Sequence, residues 1–121
     1  MLTPKEIAEA AVRALDAKNA RELKLLRTTD VTVLADYFVI CTAASTTQIK
    51  TLADACEAAL EAVGETKLHR EGYRNGSWVL LDFGCVVIHL FMEEARQFYN
   101  LERLWSDAEE IDVSGLLGPA E

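Results

Sequence analysis

The 121 residues are 50% hydrophobic and 26% charged, apolar enough for one core and too short for two, which excludes both disorder and a two-domain organisation. A formal charge of −8 argues against a direct, sequence-specific grip on nucleic acid, which needs clustered Lys and Arg, and it suits a basic protein partner. Acidic charge also simply keeps a domain in solution, so on its own it names no partner.

Thr3-Pro4-Lys5-Glu6 opens the first helix, with a capping threonine, proline at the first helical position and glutamate at the third. Ile7, Ala8, Ala11, Val12, Ala14 and Leu15 then share one side, and Asn19 ends the element. A short strand is predicted over 22–27, where Leu23 and Leu25 alternate against Lys24. Residues 36–42, Asp-Tyr-Phe-Val-Ile-Cys-Thr, are apolar on both faces and read as an interior strand. The second helix starts at Ser45 or Thr46, with Gln48 placed to close a capping box. Ile49, Leu52, Ala53, Cys56, Leu60 and Val63 form its stripe, and Gly64 terminates it.

Residues 65–75 are a polar connection with room for a short edge strand at 66–69. A hairpin follows over 76–92, then a turn at 93–100 and a third helix at 101–110 carrying Leu101, Leu104, Trp105 and Ala108 on one side. The tail, 112–121, holds two glycines and a proline and is expected to be loose, which leaves a single domain over 1–111. The order is α-β-β-α-β-β-β-α at most. A helix joining strands on either side of it requires a crossover, so at least one strand pair is parallel. The expected fold class is α/β (mixed α+β), a mixed sheet of four or five strands with helices packed on it.

Cys41, Cys56 and Cys85 are odd in number and contain no C-x-x-C, which indicates neither a zinc site nor a redox pair; the first two read as reduced core residues. No stretch approaches membrane-spanning length, and no basic region followed by an apolar run opens the chain, so a cytoplasmic protein without a membrane role is expected.

The hairpin is the informative segment. With a two-residue loop at Phe83-Gly84, residue 82 pairs with 85, 80 with 87 and 78 with 89. Val79, Leu81, Val86, Ile88 and Leu90 then form a core face. The opposite face carries Trp78, Leu80, Asp82, Cys85, Val87 and His89, and a hairpin needs only one buried face. Trp78, Leu80, Val87 and His89 have the composition of a protein-binding hot spot, which Arg96, Phe98 and Tyr99 could extend. The competing reading has the third helix fold back over this face, with Trp105 stacked on Trp78.

Catalysis finds no support. Ser77 and His89 point to opposite faces of the hairpin and cannot share a proton. Cys85 and His89 lie about 13 Å apart along a strand, too far for one metal ion. No strand carries two carboxylates two residues apart to hold Mg²⁺, and no glycine-rich phosphate loop exists. No catalytic, cofactor-binding or metal-binding residue is therefore assigned.

Several runs resemble signatures of the ribosomal silencing factor (Iojap) family: residues 36–42 with Ser45 beyond, Glu71-Gly72, residues 78–82, residues 86–89, and most specifically 96–105, Arg-Gln-Phe-Tyr-Asn-Leu-Glu-Arg-Leu-Trp. The resemblance implies a non-catalytic factor whose sheet has nucleotidyltransferase-like topology without an active site. It implies docking on the large ribosomal subunit through ribosomal protein fourteen, obstruction of subunit joining and lowered translation under starvation, with a homodimer as a further possibility. It places the hairpin tryptophan, here Trp78, on the docking surface, and it departs from the family at Cys85, where an aspartate is usual. Two rival readings are a self-assembling structural domain and a nucleotidyltransferase-type enzyme.

Overall fold

A computed structural model describes residues 3–33, 35–66, 69–73 and 76–116. The helix starts follow the local chemistry. Thr3 Oγ1 accepts the Glu6 N–H at 3.2 Å while Glu6 Oε1 accepts the Thr3 N–H at 3.0 Å, which opens α1 (Pro4–Ala17). Ser45 Oγ accepts the Gln48 N–H at 3.0 Å at the start of α2 (Thr46–Ala62). Gln48 does not complete a box with Ser45. Its Oε1 takes the Ala44 N–H instead, and its Nε2 donates to the Lys18 and Asn19 carbonyls, both at 3.2 Å. The Gln48 side chain thus ties the residue before the α2 cap to the end of α1, where Asn19 turns the chain at φ +66.

The strands are β1 (Arg21–Arg27), β2 (Tyr37–Ala43), β3 (His69–Tyr73), β4 (Trp78–Asp82), β5 (Val86–Met92) and β6 (Glu109–Ile111), in the sheet order β3-β4-β5-β2-β1-β6. β2 and β5 are parallel and every other pair is antiparallel, as the crossover through α2 demands. All seven residues of β2 are buried, which explains its apolar character on both faces. On one face α1 and α2 bury Leu25, Val39, Cys41, Leu81, Ile88 and Leu90. On the other, α3 (Glu93–Tyr99) and a single helical turn at Leu101–Leu104 close over Phe38, Ile40, Val87 and Phe91. Arg70 fastens edge strand β3 to α2 through Asp54 at 2.9 Å and Glu57 at 2.6 Å.

Four expectations need correcting. The sheet has six strands, not four or five. The third helix lies at Glu93–Tyr99, not at 101–110, because Asn100 adopts a left-handed φ of +46 and closes the helix with its N–H on the Arg96 carbonyl. The leucine period beyond it yields only one turn, and the chain then extends as β6 beside β1, where Arg27–Glu109 (3.7 Å) and Lys24–Glu110 (3.9 Å) match charges across the strands. The edge strand begins at His69, later than the predicted 66–69, of which 67 and 68 lie outside the described residues. Past β6, Val113 is buried in the core and Leu116 packs on it; the remainder of the expected tail, 117–121, lies outside the described residues.

The fourth correction is the hairpin register. Trp78 pairs with Phe91, Leu80 with His89 and Asp82 with Val87, two residues from the expected pairing. The loop is Gly84-Cys85, closed by the Phe83 N–H on the Val86 carbonyl at 3.0 Å, and Gly84 takes the first loop position at φ +85, where only glycine is unstrained. A slip of two leaves the strand side chains on their expected faces, but Cys85, expected beside Trp78, falls in the loop and packs against the core under α1 and α2.

Candidate docking surface

The β4–β5 hairpin presents Trp78, Leu80, Asp82, Val87, His89 and Phe91 to one side, and edge strand β3 adds Glu71 opposite Leu80. α3 packs over β2 and β5, so β4 is left partly open. Trp78 and Leu80 are half-buried, Asp82 is half-buried, and Val87 is almost covered. At the end of α3, Tyr99 is half-buried and Phe98 is 71% exposed. The indole of Trp78 rests on Phe91 (ring centroids 5.2 Å, stacked) and against Tyr99 (4.5 Å), and Phe98 meets Tyr99 edge-on at 5.1 Å. These rings form a continuous aromatic ridge with Leu80 at its foot and acidic groups beside it.

Two of the expected contact residues are turned inward. Arg96 is 5% exposed, and its Nη1 donates to the Glu22 carbonyl at 2.6 Å and to Thr42 Oγ1 at 2.8 Å. It locks α3 onto β1 and β2. His89 is 5% exposed; its Nδ1 accepts the Trp78 Nε1–H at 3.3 Å, and Phe38 meets it edge-on at 5.2 Å. Asp82 is engaged at the hairpin tip, where Oδ1 accepts the Gly84 N–H at 2.8 Å. Cys85 gives its carbonyl to the Asp36 and Tyr37 N–H groups at 2.8 and 3.1 Å and so starts β2. Phe91 and Glu71 were missed from the sequence: Phe91 follows from the corrected register, and Glu71 from its place on the edge strand. Trp105 meets Phe38 edge-on at 5.4 Å and Tyr99, not Trp105, covers Trp78.

The electrostatics favour packing over chemistry. Burial lowers the pKa of His89 to about 4, so its imidazole is neutral at physiological pH. Because the folded pKa lies below the ordinary 6.5, the stability tied to this neutral ring is complete above pH 6.5 and is lost as pH falls toward about 4. Denaturant midpoints measured across that window should fall with acid, and a His89→Leu variant should show a shallower fall. Burial pushes the Cys41 thiol up to about 12 and raises Cys56 as well, while desolvation raises Cys85, so none of the three is poised as a nucleophile. All three are free thiols. Among the described residues no group of three His, Cys, Asp or Glu side chains could hold a metal ion, and no helix is long and apolar enough to cross a membrane.

The fold is a mixed α+β sheet with α1 and α2 on one face and α3 on the other, where β4 carries a partly open aromatic ridge. The chain belongs to the family described as ribosomal silencing factor during starvation, whose model matches residues 2–121. It is thus a non-enzymatic regulator of translation. It is 34% identical to the ribosomal silencing factor of Halalkalibacterium halodurans over 96% of this chain and 99% of that one. With the corresponding factor of Bacillus subtilis it shares 35% over 93% and 95%. With the chloroplastic Iojap protein of Zea mays it shares 37% over 80% of this chain and 44% of the longer relative. A crystal structure of a Chromobacterium violaceum protein superposes with a TM-score of 0.84 at 29% identity, covering 99% of this chain and 98% of that one.

Proposed function

We propose that the ridge of Trp78, Leu80, Phe98 and Tyr99, with Val87 beneath and Asp82 at the hairpin tip, docks the protein on the large ribosomal subunit through ribosomal protein fourteen. The observation that carries this reading is a half-buried indole on the sheet, stacked on Phe91 and flanked by Tyr99, together with the largely exposed Phe98 of α3. Aromatic anchors ringed by polar groups concentrate binding energy in protein interfaces. The net charge of −8 complements a basic ribosomal protein and speeds encounter with it. His89 and Arg96 serve this surface from below and do not touch the partner.

The mechanism is steric. A compact domain of this length is roughly 35 Å across. Anchored where the small subunit must approach, it fills volume that joining requires, and translation falls while it stays bound. Affinity and position suffice. The test is a sucrose gradient of isolated subunits with added protein. The expected result is migration with the large subunit and loss of reassociated ribosomes; protein that stays at the top of the gradient while subunits rejoin normally overturns the proposal.

A further inference from the structure

We propose that His89 is a positioning residue for docking: its Nδ1 fixes the Trp78 indole in the orientation that the partner meets. This rests on the docking reading above and adds a residue that the partner never touches. Stacking on Phe91, with Tyr99 tilted against it at 4.5 Å, holds the plane of the indole but is not directional enough to fix its rotation within that plane. The Nε1–H to Nδ1 bond at 3.3 Å is directional and removes that freedom. A side chain already held in its bound orientation loses less entropy on association.

The arrangement makes poor sense as core packing alone. When Nδ1 accepts from the indole, the neutral ring carries its proton on Nε2. Nε2 is buried and finds no acceptor among the described residues. An unpaired buried donor is unfavourable, and a leucine or phenylalanine between Phe38 and Phe91 would avoid it. A group kept at a cost to stability is more readily explained by what it does for Trp78. Burial also keeps the ring neutral, so the acceptor lone pair is present at physiological pH.

The test uses His89→Phe, which keeps an aromatic ring and removes the acceptor, and His89→Asn, which returns an acceptor oxygen near the Nδ1 position. Each is made in the wild-type chain and in Trp78→Phe, which has no indole N–H. Three quantities are read: the melting temperature, hydrogen exchange of the Trp78 indole N–H in the free protein, and affinity for isolated large subunits. The expected result is that His89→Phe melts no lower than wild type, exchanges its indole proton faster and binds about tenfold more weakly. His89→Asn recovers most of the loss, and His89→Phe adds nothing further in the Trp78→Phe background. Unchanged indole exchange in His89→Phe overturns the proposal, as does an affinity loss of the same size in both backgrounds. The exchange measurement needs no ribosome. If Trp78→Ala binds as tightly as wild type, the docking reading falls while the tether to His89 is still decided on the free protein.

Discussion

Trp78→Ala should fold and yet bind isolated large subunits roughly 30- to 1000-fold more weakly, a loss of about 2–4 kcal/mol. The magnitude follows from where the ring sits. It is the largest side chain on the ridge, it is supported from below by Phe91 and from the side by Tyr99, and its remaining surface is open. A supported aromatic offers contact area with little entropy left to lose, which is the setting in which truncation is most costly to binding. The cost to folding is smaller, because the ring is only half-buried and lies outside the set of fully buried core side chains. Cooperative melting of the variant with co-sedimentation at wild-type strength would remove Trp78 from the docking surface. Leu80→Ala should reproduce the defect on a smaller scale, since fewer apolar atoms are lost.

How much of this could be read from the chain depended on the range of the interactions involved. Helix starts were legible because their determinants lie within four residues: Thr3 and Glu6 exchange hydrogen bonds, and Ser45 accepts the Gln48 N–H, although the expected box at Gln48 does not close. The interior position of β2 was legible from its unbroken apolar run, and the parallel pair from the crossover it forces. The hairpin faces were legible because alternation fixes parity. The register was not, since pairings that differ by two residues have identical faces, and the choice falls to Gly84 and its left-handed backbone. β6 escaped because a three-residue strand has no period of its own, and the leucines before it mimic a helix that Asn100 interrupts. Within the site, aromatic content identified the ridge, while alternation placed His89 on the Trp78 face and closeness in sequence placed Arg96 beside it. Their partners settle the matter, and sequence spacing does not announce them: Glu22 lies 74 residues from Arg96 and Thr42 lies 54 away.

That inward turn makes Arg96→Met the second large effect, on stability rather than on contact. The guanidinium reaches from α3 to the Glu22 carbonyl and to Thr42 Oγ1, at the ends of β1 and β2. Methionine fills much of the stem's volume but donates nothing, so two acceptors lose their donor. Hydrogen bonds from a charged donor to buried partners are among the stronger ones, and leaving their acceptors unmatched adds a further penalty. A loss of roughly 2–4 kcal/mol of unfolding free energy is expected, measured by denaturant titration. Arg96→Lys should recover only part of it, because an ammonium carries its charge on a single point and cannot reproduce the planar fork. The consequence for docking is indirect. α3 carries Phe98 and Tyr99 at its far end, so loosening its anchor lets the aromatic ridge shift against Trp78. Binding by Arg96→Met should therefore weaken even at temperatures where the sheet remains folded, and the loss should shrink as the temperature is lowered and α3 settles. If instead Arg96→Met is as stable as wild type and weakens binding with a strong salt dependence, the guanidinium faces the partner and its inward role is wrong.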